Sequence, residues 1–514
     1  MTYFFRVQGA LIAGIQAIPV QVECAQSRRL PYIHIIGGSR SAVSELRERV
    51  IAAVDACKLR LPARRITVQI QPGVHGLPLE QLDLAVAVAL LGSSGLIPPA
   101  CVEGRLICGN LGLDGSIRPS LNAAALRRLL SGNSYRSALL PWEGSEVLSE
   151  PQLEWGGGFH HLLDVVEFLR GTAVGRRANR DPERSAPPPG LIWNRIEGQE
   201  VAKRMLEIAA AGAHHVLLPG PASARPDLLA HALSSLLPPL TEEESEEVSA
   251  IYALAGMKHL QPTRPFFSFG SSMGLPPLLP DRRLARVEEF LLAHRGVFYV
   301  DQICEREPVL FPDLLPPMLS GKMQARIGSR RIEIPADAIV VASSPACGCG
   351  SRGDDRLVCT CRPTEARRYQ ERWKRLLRYP FDLCLPILPA SAAESSSLPW
   401  ASIAERVQSA RERMRARQGM GNGRLGETEV FAAKPWRERP AKLWKVFEAR
   451  QPGSRVRLVS MAKVALTLSD LRGGEAVEDH DLFEARHYFS VFTGAPGSKA
   501  ASSSLPDMNS SATP

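Results

Sequence analysis

No run of about 18 apolar residues occurs in this chain, which excludes a helical membrane span of the usual kind. The N-terminal stretch MTYFFRVQGALIAGIQAIP lacks the basic head of a secretory leader, and Gln8, Gln16 and Gln21 are spaced as in a strand or hairpin. Cysteines are few and six of the ten (Cys24, Cys57, Cys101, Cys108, Cys304, Cys384) lie singly in apolar runs, as core residues do. These absences predict a cytoplasmic protein without a disulfide framework. A sharper absence falls at Gly220-Pro221-Ala222-Ser223-Ala224-Arg225-Pro226-Asp227. A phosphate loop of the form G-x-x-x-x-G-K-[ST] needs a glycine for backbone approach, a lysine for charge and a hydroxyl for magnesium at its last three positions. Here they are Arg225, Pro226 and Asp227.

What is there is the frame of such a loop. Residues 200–212 (EVAKRMLEIAAAG) predict a helix, 216–218 a short buried strand running into Gly220, and 228–237 the next helix. Pro226 and Asp227 are good starting residues for that helix, and the Asp227 carboxylate is placed to take the positive helix end that a phosphate would use.

With 514 residues and 45% hydrophobic content the chain is long enough for about three domains. Residues 1–174 mix β-like runs (65–71) with helical ones (41–56, 82–95), a compact α/β or α+β domain. Residues 175–190 are charged, proline-rich and aperiodic, a linker. A core over 191–390 and a helical lid over 391–495 follow, and the low-complexity 496–514 reads as a disordered tail.

The chain resembles the magnesium-chelatase-related AAA+ family of the ComM/YifB type. The resemblance rests on Gly198-Gln199-Glu200 with EIAAAG, LPPLTEEESEEVSAIYALAG from 237 to 256, Arg264-Pro265-Phe266, and Gly296-Val297-Phe298-Tyr299-Val300-Asp301. In the N-terminal part Leu30-Pro31, Arg64-Arg65-Ile66-Thr67-Val68, Leu82-Asp83-Leu84 and Leu113-Asp114-Gly115 carry it. It implies an α/β fold: a Lon-protease/S5-like N-terminal domain, a AAA+ P-loop core with a parallel sheet, and a C-terminal helical lid. It also implies a nucleotide site at Gly220, Arg225, Asp227, Asp301 and Gln302. A serine–lysine protease is not expected, because Lys58 is the only lysine in 1–174 and has no matching serine.

The departures from the family pattern fall on that site. The second Walker B acid is Gln302, which cannot act as a carboxylate base. The sensor position is Ser344, the arginine of L-L-D-R-I-D is Pro380, a C-terminal arginine is Leu466, and paired histidines are Gly270 and Ser271. A charge-stabilising arginine is worth roughly 10³–10⁵ in rate. ATP turnover is therefore not expected, and ATP and magnesium binding is doubtful. The expected function is that of a pseudo-ATPase, a non-hydrolysing DNA-associated or ring-assembly subunit in a homo- or hetero-oligomer. The alternatives are an active ATP-dependent motor on DNA, a chelatase-type remodelling subunit and a decayed paralogue.

Two further patterns bear on cofactor and partner. Cys347-x-Cys349 and Cys359-x-Cys361 offer four thiolates within fifteen residues, enough for tetrahedral zinc. Reduced surface thiols and a redox pair are the other readings. Fourteen Lys or Arg against six acids lie between Glu405 and Arg457 (+8), and seven against two between Arg362 and Arg378 (+5), so these stretches exceed the net +9 and the rest of the chain is about −4. With Trp373, Trp436 and Trp444 among them, these stretches read either as a DNA-binding lid or as a solvated helical lid with tryptophan anchors. His214 with His215, and His480 with His487, lack a third ligand and read as packing or surface residues.

Overall fold

A computed structural model describes residues 4–488 apart from 14, 75–76, 119–121, 133–134, 144–155, 174–189, 256–263, 271–286, 328–329, 353, 355, 390–398 and 451–454. Nearly all of the 175–190 linker, Ser271 and the 496–514 tail lie outside the described residues. The chain divides into two compact units, one of residues 1–191, 238–299 and 306–339, the other of 192–237, 300–305 and 340–514.

The N-terminal part of the first unit runs β1 (Phe4–Ala13), β2 (Gln16–Ser27), β3 (Tyr32–Ile36), α1 (Arg40–Ala56), β4 (Arg65–Gln71), α2 (Asp83–Ser93), β5 (Arg105–Ile107), β6 (Asn110–Leu111), β7 (Ile117–Arg118), α3 (Ala123–Gly132), β8 (Ser137–Pro141), β9 (Gly157–Phe159) and α4 (Leu162–Leu169). Seven strands form a mixed sheet in the order β3-β4-β2-β1-β5-β8-β9, with β1 and β2 antiparallel from Phe4↔Ala25 to Ala13↔Gln16. The predicted N-terminal hairpin is thus two long strands. Alternation in β4 turns Ile66, Val68 and Ile70 into the core. Helix α2 is apolar all round and buried at every position, as a helix without a solvent face must be. Its one acid, Asp83, is held by two hydrogen bonds from Arg49 at 2.8 and 3.0 Å, and burial pushes its carboxyl up to about 6.

Next come α5 (Glu200–Gly212), β10 (Val216–Pro219), α6 (Pro226–Leu236), α7 (Glu242–Leu254), β11 (Phe266–Ser268), α8 (Glu288–Leu292), β12 (Val297–Val300), α9 (Ile303–Ser320), β13 (Lys322–Ile327), β14 (Arg330–Pro335) and β15 (Ile339–Ser344). In the first unit α7 opens on a capping box in which Thr241 and Glu244 satisfy each other's backbone N–H groups. It docks on the N-terminal part, where Asn122 Nδ2 donates to the Ala250 carbonyl at 2.9 Å.

The second unit is completed by α10 (Pro363–Leu376), β16 (Leu383–Cys384), α11 (Trp400–Gln418), α12 (Glu427–Ala432), α13 (Glu438–Arg450), α14 (Arg455–Leu471) and α15 (Asp479–His487). Strand β10 lies between β15 and β16, parallel to both, in the register Val216↔Val341 to Pro219↔Ser344 and Val216↔Leu383. All four residues of β10 are buried, as befits a strand flanked on both sides. Helix α14 is buried over most of its length from Leu458 to Leu471 and forms the centre of the C-terminal helical region. The second unit therefore combines parallel strands with a helical C-terminal region, and its loop after β10 holds the candidate chemistry.

Candidate functional site

The loop after β10 keeps the path expected of it. Gly220 N–H donates to the Ser344 carbonyl at 3.1 Å, and a Cβ at Gly220 would stand 2.5 Å from the Ile387 carbonyl oxygen, so only glycine fits. Residues Ala222–Ala224 then make one tight turn, in which Ala224 N–H reaches the Pro221 carbonyl at 3.1 Å and Arg225 N–H the Ala222 carbonyl at 3.0 Å. These amides bond within the loop instead of opening toward an anion. Arg225 has φ 54° and ψ 55°, the left-handed conformation that glycine adopts without strain and that costs other residues about 1–2 kcal/mol. Pro226 opens α6 and has no N–H to offer.

The charge of the loop is internally cancelled. Arg225 Nε and Nη2 donate to the two Asp227 carboxylate oxygens at 3.1 and 3.0 Å, and the carboxylate lies near the backbone N–H groups of the first turn of α6. Arg225 first, and those helix-end amides with it, hold the Asp227 carboxyl below the usual range. Asp227 thus occupies the α6 terminus that a phosphate would use, as the sequence suggested. The pair is more than half exposed, so solvent screens it and it adds little to stability, but it leaves neither charge free for a ligand.

On the opposite strand Asp301 follows β12 and accepts a hydrogen bond from Ser343 Oγ at 2.7 Å. Ser343 pairs with Leu218, so one strand, β15, separates Asp301 from the strand that leads into Gly220. Ser344, the residue aligned with the sensor, shares a hydrogen bond with Tyr369 Oη at 3.0 Å instead. Gln302 is exposed, with φ 52°, and its carbonyl accepts the Glu305 N–H at the start of α9.

The four cysteines come together between β15 and α10. Their sulfurs all lie within 4.8 Å of one another, with Cys347–Cys349 at 3.3 Å and Cys359 at 3.6 Å from each of them. A tetrahedron with Zn–S bonds of about 2.3 Å has S–S edges of about 3.8 Å, close to this spacing. All four are free thiols, and Cys361 Sγ accepts the Cys349 N–H at 3.2 Å. Backbone N–H donation, from Ser351 above all, draws the exposed Cys349 thiol down to about 5, whereas burial first and its neighbours next push Cys347 up to about 12. An all-sulfur set of four with peptide N–H support fits zinc better than any hard cation. The root of this loop is fixed: Trp373 Nε1 donates to the Pro345 carbonyl at 3.1 Å.

Comparison with known proteins resolves the kinship. Models of the magnesium chelatase subunit ChlI match residues 193–395, of the ChlI subunit 22–144, and of its C-terminal region 397–488. The uncharacterized protein YifB of Salmonella typhimurium is 30% identical over 496 residues, 93% of this chain and 95% of that protein. The competence protein ComM of Haemophilus influenzae is 28% identical over 497 residues, covering 92% and 95%. The chain belongs to the magnesium-chelatase-related family of the ComM/YifB type.

For this family member the remaining departures can now be placed. Leu466, standing where the resemblance puts an arginine, is fully buried in α14. Pro380 precedes Phe381 and Asp382, and Asp382 is the centre of a buried network. Its carboxylate takes His214 Nδ1 at 2.9 Å and Ser460 Oγ at 2.6 Å, while His214 Nε2 meets Thr467 Oγ1 at 2.8 Å. Burial alone would raise the Asp382 carboxyl, but Lys463, His214 and Ser460 outweigh it and hold it at about 2. His215 accepts the Val340 N–H through Nδ1 at 2.9 Å. Both histidines are buried packing residues, and the exposed His480 lies 3.8 and 3.3 Å from carboxylate oxygens of Glu478 and Asp481.

The lid's positive charge is less available than its count suggests. Arg417 and Lys434 hold the buried Asp470, Arg406 holds the buried Glu207, Arg413 caps the Asp470 carbonyl, and Arg439, Lys442 and Arg455 pair with Asp479, Glu438 and Glu427. Trp373 is 2% exposed and anchors α10, which removes it from any base-stacking surface. Trp436 and Trp444 pack edge to face at 5.7 Å, with Phe431 against both. Sequence reasoning missed Asp354, whose carboxylate accepts Ser223 Oγ at 2.6 Å and links the cysteine loop to the nucleotide loop. An acid placed five residues from both Cys349 and Cys359 was the available signal.

Proposed function

We propose that this protein is a catalytically degenerate member of its family, a non-hydrolysing subunit that works by assembly and contact with DNA. The observation that carries this reading is the Arg225–Asp227 pair: a guanidinium and a carboxylate close on each other where a nucleotide loop needs glycine, lysine and hydroxyl. The AAA+ core and the Lon/S5-like N-terminal domain are the folds in which we place this loop and residues 1–174. The Haemophilus influenzae relative is named a competence protein, and a DNA-associated role here is in keeping with that name. Zinc, held by Cys347, Cys349, Cys359 and Cys361, is the structural cofactor we assign.

Calorimetry with ATP and magnesium tests the core of this reading. The natural protein is expected to give no heat, and a variant carrying Arg225→Gly, Pro226→Lys and Asp227→Thr is expected to bind. Micromolar binding by the natural protein sinks it. The DNA reading is carried by Arg362, Arg367 and Arg368, all exposed where α10 begins. Replacing Arg367 and Arg368 by Ala is expected to lower the slope of log K against log salt by about 1.4 for single-stranded DNA, roughly 0.7 per phosphate contact. An unchanged slope moves the DNA contact elsewhere or abolishes it.

A further inference from the structure

The cysteine loop and the nucleotide loop follow neighbouring parallel strands, and one side chain joins them. Asp354 lies midway between Cys349 and Cys359, is 6% exposed, and sets Oδ2 at 2.6 Å from Ser223 Oγ while Oδ1 takes the Arg356 N–H at 3.0 Å. Ser223 is the fourth residue of the eight that would cradle a phosphate. An anion from within the chain is therefore seated on the loop, built in rather than bound.

We propose that the cysteine loop is a metal-set cap on the vestigial phosphate loop, with the Asp354 carboxylate as its internal anion. The cap rests on the zinc reading above. Metal bound by Cys347, Cys349, Cys359 and Cys361 ties off the segment 349–359 at both ends, so its midpoint has few conformations left. The root is independently fixed by Trp373 on the Pro345 carbonyl and Tyr369 on Ser344. With both ends held, Asp354 stays on Ser223. With the metal gone, the segment gains the conformations of a loop of eleven residues tethered only at its stem, and the single hydrogen bond to Ser223 does not hold it.

Hydrogen exchange on the full-length protein reads this directly, with zinc content measured by plasma mass spectrometry. Three samples are compared: the zinc-loaded natural chain, the same chain after chelation, and Asp354→Ala loaded with zinc. The amides of 220–229 are expected to exchange roughly tenfold faster in the second and third samples than in the first, the scale of one charge-assisted hydrogen bond. Chelating Asp354→Ala is expected to add little, because metal and carboxylate act through one contact. The β1–β4 amides, in the other unit, report whether the fold is intact. Protection of 220–229 unchanged in zinc-loaded Asp354→Ala overturns the cap while leaving the zinc assignment standing. Less than one equivalent of zinc overturns the assignment and the cap together. Nucleotide binding is not read in this experiment, so its result leaves the pseudo-ATPase reading to the calorimetry.

Discussion

Two loops leave paired parallel strands in this molecule, one after Pro219 of β10 and one after Ser344 of β15, and they have met opposite fates. The first keeps its backbone frame and has none of the three groups that hold a phosphate. The second draws four thiols, a set that could hold a metal ion, to within 4.8 Å of one another. The contrast teaches that a loop's path and its chemistry are specified by different residues. Gly220 and the start of α6 set the path, and Arg225, Pro226 and Asp227 carry the chemistry. In the cysteine loop the two coincide, since the four cysteines that carry its chemistry also make contacts with one another.

That contrast predicts an asymmetric response to mutation. On the zinc reading proposed above, Cys359→Ser is expected to abolish stoichiometric zinc and lower the midpoint of thermal unfolding by several degrees, as loss of a structural metal does. Plasma mass spectrometry and calorimetric scanning check both, and retention of a full equivalent of zinc counts against the tetrathiolate site.

A smaller effect lies beneath the first loop. The N–H groups of Asp382 and Leu383 both donate to the His215 carbonyl, just before β10, so the Asp382 network is part of the floor of that loop. Its carboxyl is held at about 2 in the folded chain against about 4 when unfolded, so the folded state favours the ionised form. The stability this gives is fully present above about pH 4 and is lost as pH falls toward 2, about 2 kcal/mol in all. Denaturant midpoints at pH 5, 4 and 3 should fall more steeply for the natural protein than for Asp382→Asn. Parallel slopes would remove the network from the account.

The smallest change is expected in the nucleotide loop itself. Arg225→Gly relieves a left-handed residue but gives up an exposed ion pair and adds glycine's unfolded-state freedom. A slight rise in the chemical denaturation midpoint is expected, and a clear fall would show that the pair does more than its exposure implies.

Much of this fold was legible in the chain. The predicted helices and strands at 41–56, 65–71, 82–95, 200–212 and 216–218 are α1, β4, α2, α5 and β10 within a residue or two. Each depends on periodicity within one segment, which sequence displays. The site was legible where a motif is local, as in the two C-x-C pairs and in Arg225 with Asp227, two residues apart. What could not be read were partners distant along the chain. Charge counting over 405–457 gave a basic lid, yet Arg406 is matched by Glu207 and Arg417 by Asp470, from elsewhere in the fold. Asp354 meets Ser223 across 131 positions. Trp373 was set among candidate stacking residues because its neighbours are arginines, and only packing shows it to be a buried anchor.

Gly220 has one more lesson, about where this sequence is free to vary. The Ile387 carbonyl stands where its side chain would begin, whereas Arg225 and Asp227 look out into solvent a few residues on. A saturation library across 220–227 should therefore separate positions enforced by packing, Gly220 with the buried Ala224 and Pro226, from the exposed Arg225 and Asp227, where most side chains leave the protein folded. On such a map the ability to hold a phosphate can be lost, or restored, without the architecture registering the difference.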